Sequence, residues 1–123
     1  MTPEQRAQQA IRLATNLTGG QLYRNNSGAM SDGKRVIRFG LGNDSAAINK
    51  RFKSSDLVGY TPLVIQPGHV GRTIAVFTAC EIKKPGWVYK ATQREIAQLN
   101  FINAVRERGG IAGFVTDPVE YFK

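Results

Sequence analysis

The sequence predicts an α/β protein, a central mixed β-sheet flanked by α-helices. Two segments with helical periodicity each open on a capping-box signature and close on Gly-Gly, and short runs with strand patterning lie between and after them. At 123 residues, with 41% hydrophobic and 21% charged, the chain suits one compact domain spanning residues 1–123.

The first helix starts at Thr2 as N-cap, with Pro3 in the first helical position and Gln5 as the reciprocal partner of the box. Ala7, Ala10, Ile11, Ala14 and Leu17 recur on one side, so this side is expected to pack on the sheet before Gly19 and Gly20 end the helix. Residues 21–24 read as a short strand. The turn-rich stretch 25–33 reads as loop, and residues 35–39 as a second strand. Turn formers resume at Gly40 and lead to a basic cluster of Lys50, Arg51 and Lys53, which runs into Ser54, Ser55 and Asp56.

Residues 57–60 are a further strand, followed by a bent Pro- and Gly-containing connection that includes His69. Residues 73–84, TIAVFTACEIKK, read as one long strand, apolar on both faces for most of its length and so expected to be covered on both sides. Alternation puts Ala79, Glu81 and Lys83 on one face and Thr78, Cys80 and Ile82 on the other. Antiparallel pairing of this strand with residues 57–60 would bring Asp56 toward Glu81. The second helix opens at Thr92 with Glu95 in the capping box and ends at Gly109 and Gly110. Gln98 lies three and four residues before Phe101 and Ile102, on the inward face, where its amide needs a partner. Residues 111–115 form a last buried strand, and a short helix or tail is expected over residues 118–122.

The 17 Lys and Arg against 9 Asp and Glu leave a formal charge of +8, which favours a polyanionic partner without specifying any chemistry. One cysteine, Cys80, excludes an internal disulfide, and its place in an apolar strand predicts a small packing residue in a reducing compartment. No long uncharged apolar run and no signal-peptide core occur, so a cytoplasmic protein without membrane contact is expected. His69 has no second histidine or neighbouring cysteine to make a zinc site.

Asp56, Glu81, Lys83 and Gln98 together suit metal-dependent phosphodiester hydrolysis. Two carboxylates, with the backbone carbonyl of Ile82 as a third ligand, make an oxygen site for Mg²⁺ or Mn²⁺. Lys83 would orient or deprotonate the attacking water, or stabilise charge developing on the phosphate. An isolated Glu-x-Lys pair is weak by itself, because exposed strands carry such pairs as salt bridges. Arg24, Asn25, Lys50, Arg51, Lys53 and Lys84 are candidate DNA contacts. A strand end or a solvated loop would use the same residues for shape or solubility. Trp87 and Tyr89 suit either base stacking or packing against the second helix.

At these residues the chain resembles the PD-(D/E)xK nuclease superfamily, and within it the virus-type replication-repair nuclease (VRR-NUC) domain. The resemblance runs through Tyr23-Arg24-Asn25-Asn26 and Gly28, Phe39-Gly40, Ser55-Asp56-Leu57-Val58-Gly59, Gly71-Arg72 and Glu81-Ile82-Lys83-Lys84-Pro85-Gly86. It continues in Gln98 with Phe101-Ile102 and in Gly109-Gly110-Ile111-Ala112-Gly113. It implies a restriction-endonuclease-like core, divalent metal at Asp56 and Glu81, catalytic Lys83 and supporting Gln98. Stand-alone domains similar to this one are often phage-encoded, which would place the chain in the host cytoplasm. They act as homodimers on branched DNA such as Holliday junctions, in replication, recombination or repair. Two departures stand out: Ser55 replaces the proline of the superfamily name, and Glu4 is the one acid available on the first helix, with Gln8 or Gln9 as polar substitutes. The alternative function is a non-catalytic nucleic-acid-binding module on the same fold, motivated by the charge.

Overall fold

A computed structural model describes residues 1–116, so the helix or tail expected over 118–122 lies outside the described residues. The chain is mixed α/β and divides into two compact units, Met1–Thr61 and Pro62–Lys123.

In the first unit, α1 (Pro3–Leu17) begins as the sequence predicts. The Thr2 hydroxyl accepts from the Gln5 N–H at 3.1 Å, and the Gln5 side chain accepts from the Thr2 N–H at 2.8 Å. The face it half-buries differs from the expected one. Gln8, Arg12 and Thr15 are partly covered, whereas Ala7, Ala10, Ile11 and Ala14 are exposed and Leu17 is 83% exposed. A polar anchor sets this rotation, because Arg12 Nε donates to the Leu22 carbonyl of β1 (Gln21–Arg24) at 3.2 Å.

Strand β2 (Gly28–Ser31) falls inside the stretch predicted as loop and pairs antiparallel with β3 (Val36–Phe39). The turn residues do cluster, but at the hairpin tip: Asp32 Oδ1 accepts from the N–H groups of Lys34 and Arg35 at 2.9 Å each. Those bonds, the Arg35 one foremost, hold the Asp32 carboxyl below the usual carboxylate range. A short helix, α2 (Ala46–Arg51), also forms where turn was predicted, capped by the Ser45 hydroxyl accepting from the Ile48 N–H at 3.1 Å.

Strand β4 (Leu57–Tyr60) pairs antiparallel with β1 rather than with the long downstream strand. Gly59 permits the close approach, since a Cβ there would lie 1.8 Å from the Gln21 carbonyl oxygen.

In the second unit, a 3-10 turn at Pro67–His69 is closed by His69 Nδ1 accepting from the Gln66 N–H at 2.9 Å. Residues 73–77 stay out of the ladder, so the predicted long strand shortens to β5 (Thr78–Ile82). β5 pairs in parallel with β6 (Ile111–Val115) across α3 (Gln93–Glu107), a βαβ unit. The described strands thus form three two-stranded sheets in place of one central sheet.

Helix α3 packs on the Ala79 and Glu81 face of β5, which is half-buried. The opposite face is open, with Cys80 exposed and Ile82 at 71%. The expectations of a strand covered on both sides and of a packed Cys80 are therefore corrected, because among the described residues a helix covers one face only. Ile102 and Val105, at 2% and 1% exposure, form the core with Ala112 of β6. Gly110 fits against this core, since a Cβ would meet Val105 Cγ1 at 2.5 Å and the Phe77 carbonyl at 2.9 Å. No helix of the described residues is long and apolar enough to cross a membrane.

Candidate functional site

The predicted residues fall into a set in each unit. In the first, the turn before β4 is organised by Asn25 at the end of β1. Its amide donates to Ser54 Oγ at 2.7 Å and to the Ser55 carbonyl at 2.9 Å, and accepts from the Leu41 N–H at 3.3 Å. The Asn25 N–H also donates to the Asp56 carbonyl at 2.8 Å. The side chain expected to contact DNA is thus taken up in shaping the turn that carries Asp56. Asp56 itself is exposed, and its carboxylate has no hydrogen bond among the described residues.

Asp56 lines a polar cleft of about 300 Å³ together with Glu4, Thr2, Gln5, Gln8, Arg24 and Asn26. Arg24 opposes the charge of two acids here, as well as being a candidate DNA contact. Nearby in sequence, Lys50 and Arg51 occupy the last turn of α2 and are exposed, Arg51 lying over the Phe52 ring at 5.8 Å. Lys53 donates to Asn49 Oδ1 at 2.6 Å, which ties one candidate phosphate contact back to the helix.

In the second unit the chemistry is more tightly arranged. Glu81 and Lys83 share a face, as strand alternation requires, and Lys83 keeps the ladder geometry past the end of β5 by donating its N–H to the Val115 carbonyl at 3.0 Å. The two side chains do not form an ion pair. Gln98 stands between them: its Nε2 donates to Glu81 Oε1 at 2.9 Å, and its Oε1 accepts from Lys83 Nζ at 3.0 Å. The inward amide of α3 has found two partners, and each charge is held without being neutralised by the other.

Glu81 Oε2 carries no hydrogen bond among the described residues, and an apolar cleft of about 430 Å³ opens beside this carboxylate between Ala79, Arg94, Ala97, Phe101 and Ile102. Lys84 is exposed, and its carbonyl accepts from the Trp87 N–H at 3.1 Å in the turn that follows.

Sequence reasoning missed the backing of Lys83. Its Nζ lies 5.3 Å from the Trp87 ring centroid and 5.7 Å from that of Phe114. Trp87 packs on Phe114 at 4.7 Å and edge-on to Tyr89 at 6.3 Å, so packing claims these rings, against β6 more than against the helix. Trp87 Nε1 donates to Glu95 Oε2 at 3.0 Å. Glu95, only 7% exposed, also accepts at Oε1 from the N–H groups of Lys90 and Thr92, at 3.0 and 3.1 Å. The Thr92 bond is the leading reason its carboxyl lies below the usual range. The capping box marks Glu95 in the sequence, but nothing there signals its hold on Trp87.

Within the first unit the Asp56 carboxylate, and within the second the Glu81 Oε2, have no hydrogen bond among the described residues. Ile82 adds a backbone carbonyl on the strand that carries Glu81. Among the described residues no group of three or more His, Cys, Asp and Glu side chains is gathered. Comparison with known proteins found no matching family profile, no matching curated protein and no matching solved structure.

Proposed function

We propose that this chain is a Mg²⁺- or Mn²⁺-dependent DNA endonuclease of the VRR-NUC type, with a restriction-endonuclease-like core and a preference for branched DNA such as Holliday junctions. The observation that carries the reading is the Gln98 amide between Glu81 and Lys83. A structural salt bridge would join acid and lysine directly, whereas here the Gln98 amide stands between the two side chains and leaves Glu81 Oε2 without a hydrogen bond among the described residues.

In this reading Glu81 and the Ile82 carbonyl would hold the cation, and the sequence pattern assigns Asp56, with Glu4 as a further acid, to the same role. The bound cation supplies charge stabilisation at the phosphate. Lys83 presents its ammonium to the phosphate oxygen or to the attacking water, and Gln98 fixes the direction of that ammonium. Exposed Lys50, Arg51 and Lys84, with Arg24, supply phosphate contacts, favoured by the formal charge of +8. A homodimer would give two matched cuts on a two-fold symmetric junction.

The test is a panel of junction, flap, duplex and single-stranded DNAs incubated with Mn²⁺ and resolved on a denaturing gel. Nicking of branched substrates by the wild-type protein, lost in Lys83→Ala with binding retained, is the expected result. Salt-dependent binding with no cleavage of any substrate would replace the nuclease by a nucleic-acid-binding module.

A further inference from the structure

Residues 84–92 join β5 to α3, and the Glu95 carboxylate gathers three of their N–H groups while Trp87 and Tyr89 pack on Phe114. Ala91 takes φ of 55°, the one non-glycine residue in the left-handed region among the described residues. That conformation is disfavoured for alanine. Its consequence is local: the N–H groups on either side of it, those of Lys90 and Thr92, both reach Glu95 Oε1. The second oxygen of the same carboxylate takes the indole N–H of Trp87. A strained backbone turn and a nearly buried carboxylate therefore serve to fix one ring.

The fixed ring has a face, and Lys83 Nζ lies over it, 5.3 Å from its centroid, with Phe114 as a second wall. A lysine has four rotatable bonds and, on an open surface, many positions for its ammonium. Here an aromatic wall and the Gln98 acceptor leave it few. The contacts form one continuous series from Glu95 through Trp87, Lys83 and Gln98 to Glu81.

We propose that Glu95 and Trp87 are positioning residues for Lys83: Glu95 sets the indole, and the indole face holds the ammonium at Gln98, beside Glu81. Neither residue touches the phosphate. Both act on where the lysine sits, so their loss lowers turnover and leaves substrate affinity alone. The catalytic part of this inference rests on the nuclease reading, and the placement of Lys83 against Trp87 does not.

Trp87 is the single tryptophan of the chain, so its emission reports the contact directly. The experiment compares wild type with Lys83→Met, Glu95→Ala, Trp87→Leu, Trp87→Phe and Thr92→Ala, by tryptophan emission where the ring remains and by kcat and KM with Mn²⁺ on the best-cut DNA. Thr92→Ala removes the hydroxyl that caps α3 and leaves the Glu95–Trp87 bond in place, so it separates helix capping from ring placement.

Lys83→Met and Glu95→Ala are expected to change the Trp87 emission, and Thr92→Ala to leave it as in wild type. Glu95→Ala and Trp87→Leu should lower kcat by roughly tenfold to a hundredfold with KM unchanged, and Trp87→Phe, which keeps a ring face but lacks the N–H that Glu95 holds, should lose about as much as Glu95→Ala and less than Trp87→Leu. Unaltered emission in Lys83→Met would overturn the proposal, as would equal losses of kcat in Thr92→Ala and Glu95→Ala. If the wild-type chain cuts no DNA, the nuclease reading fails, and the emission of Lys83→Met still decides the placement. If Glu95→Ala does not fold, Lys83→Met and the pair of Trp87 variants decide it.

Discussion

Each of the two units carries acids singled out in the sequence, but they are held in opposite ways. In the first, Asp56 and Glu4 line an open polar cleft, and the Asp56 carboxylate has no hydrogen bond among the described residues. In the second, Glu81 is held by an amide that also holds a lysine, and the lysine rests on a ring that a second carboxylate fixes. The interiors differ in the same sense. The buried hydrophobic residues, Ile102, Val105 and Ala112, all belong to the second unit, while the first buries the polar Asn43. Asn43 donates to the Gly28 and Phe39 carbonyls at 2.7 and 3.0 Å and accepts from Arg38 at 3.1 Å. A group with its direction already fixed can act without reorganising, whereas an open acid is free to meet a ligand on the ligand's terms.

This contrast predicts unequal sensitivity. Lys83→Ala should reduce cleavage by roughly a hundredfold to a thousandfold, with DNA binding retained in a gel shift. Glu4→Gln, in the open cleft, should cost less than about tenfold, within the usual range for one weakly held group. Equal losses in the two variants would erase the distinction between the sets.

The interiors give the next test. Ile102→Ala removes apolar packing and should destabilise by about 2–5 kcal/mol. Asn43→Ala leaves two carbonyls without their donor and should cost about 1–3 kcal/mol. Urea melts followed by Trp87 emission, which reads the second unit, and by far-UV dichroism, which reads both, should coincide in wild type and separate in whichever variant weakens one unit alone.

Much of this was legible in the sequence where a local rule decided it. Thr2-Pro3-Glu4-Gln5 and Thr92 with Glu95 marked both long helices, and alternation alone put Glu81 and Lys83 on one face. Gln98 was found by its helical spacing from Phe101 and Ile102. What stayed hidden depended on partners far along the chain. β4 pairs with β1 because Gly59 admits the Gln21 backbone, and the regular β5–β6 pairing begins only at Thr78, so a hydrophobic run alone overstated the strand. The rotation of α1 was missed because one Arg12 bond to a strand carbonyl set it, against the apolar periodicity. β2 was missed because Gly28 and Ser31 bracket a strand as readily as a turn.

Acid should expose the Glu95 device. Its carboxyl lies below the ordinary value of 4.5, so the folded state favours the charged form. The stabilisation is complete well above that value and is lost as pH falls through the lower folded value. The gap in melting temperature between wild type and Glu95→Gln should therefore be widest near neutrality and close as pH falls below the ordinary value of 4.5. A gap unchanged at low pH would mean that the charge of Glu95 contributes nothing to the fold. The smallest effect belongs to the surface: Lys50→Ala and Arg51→Ala should each lower the slope of log K against log salt by roughly one. That change should be the same for every DNA sequence tested.

The open face of β5 has a practical consequence. Cys80 is the only thiol in the chain and is exposed, one residue from Glu81 on the opposite side of the strand. A maleimide dye or nitroxide attached there would be singly and uniquely placed without mutagenesis. It would sit on the same rigid strand as the proposed catalytic pair while pointing away from it, a reporter of events at Glu81 and Lys83 that does not occupy their space.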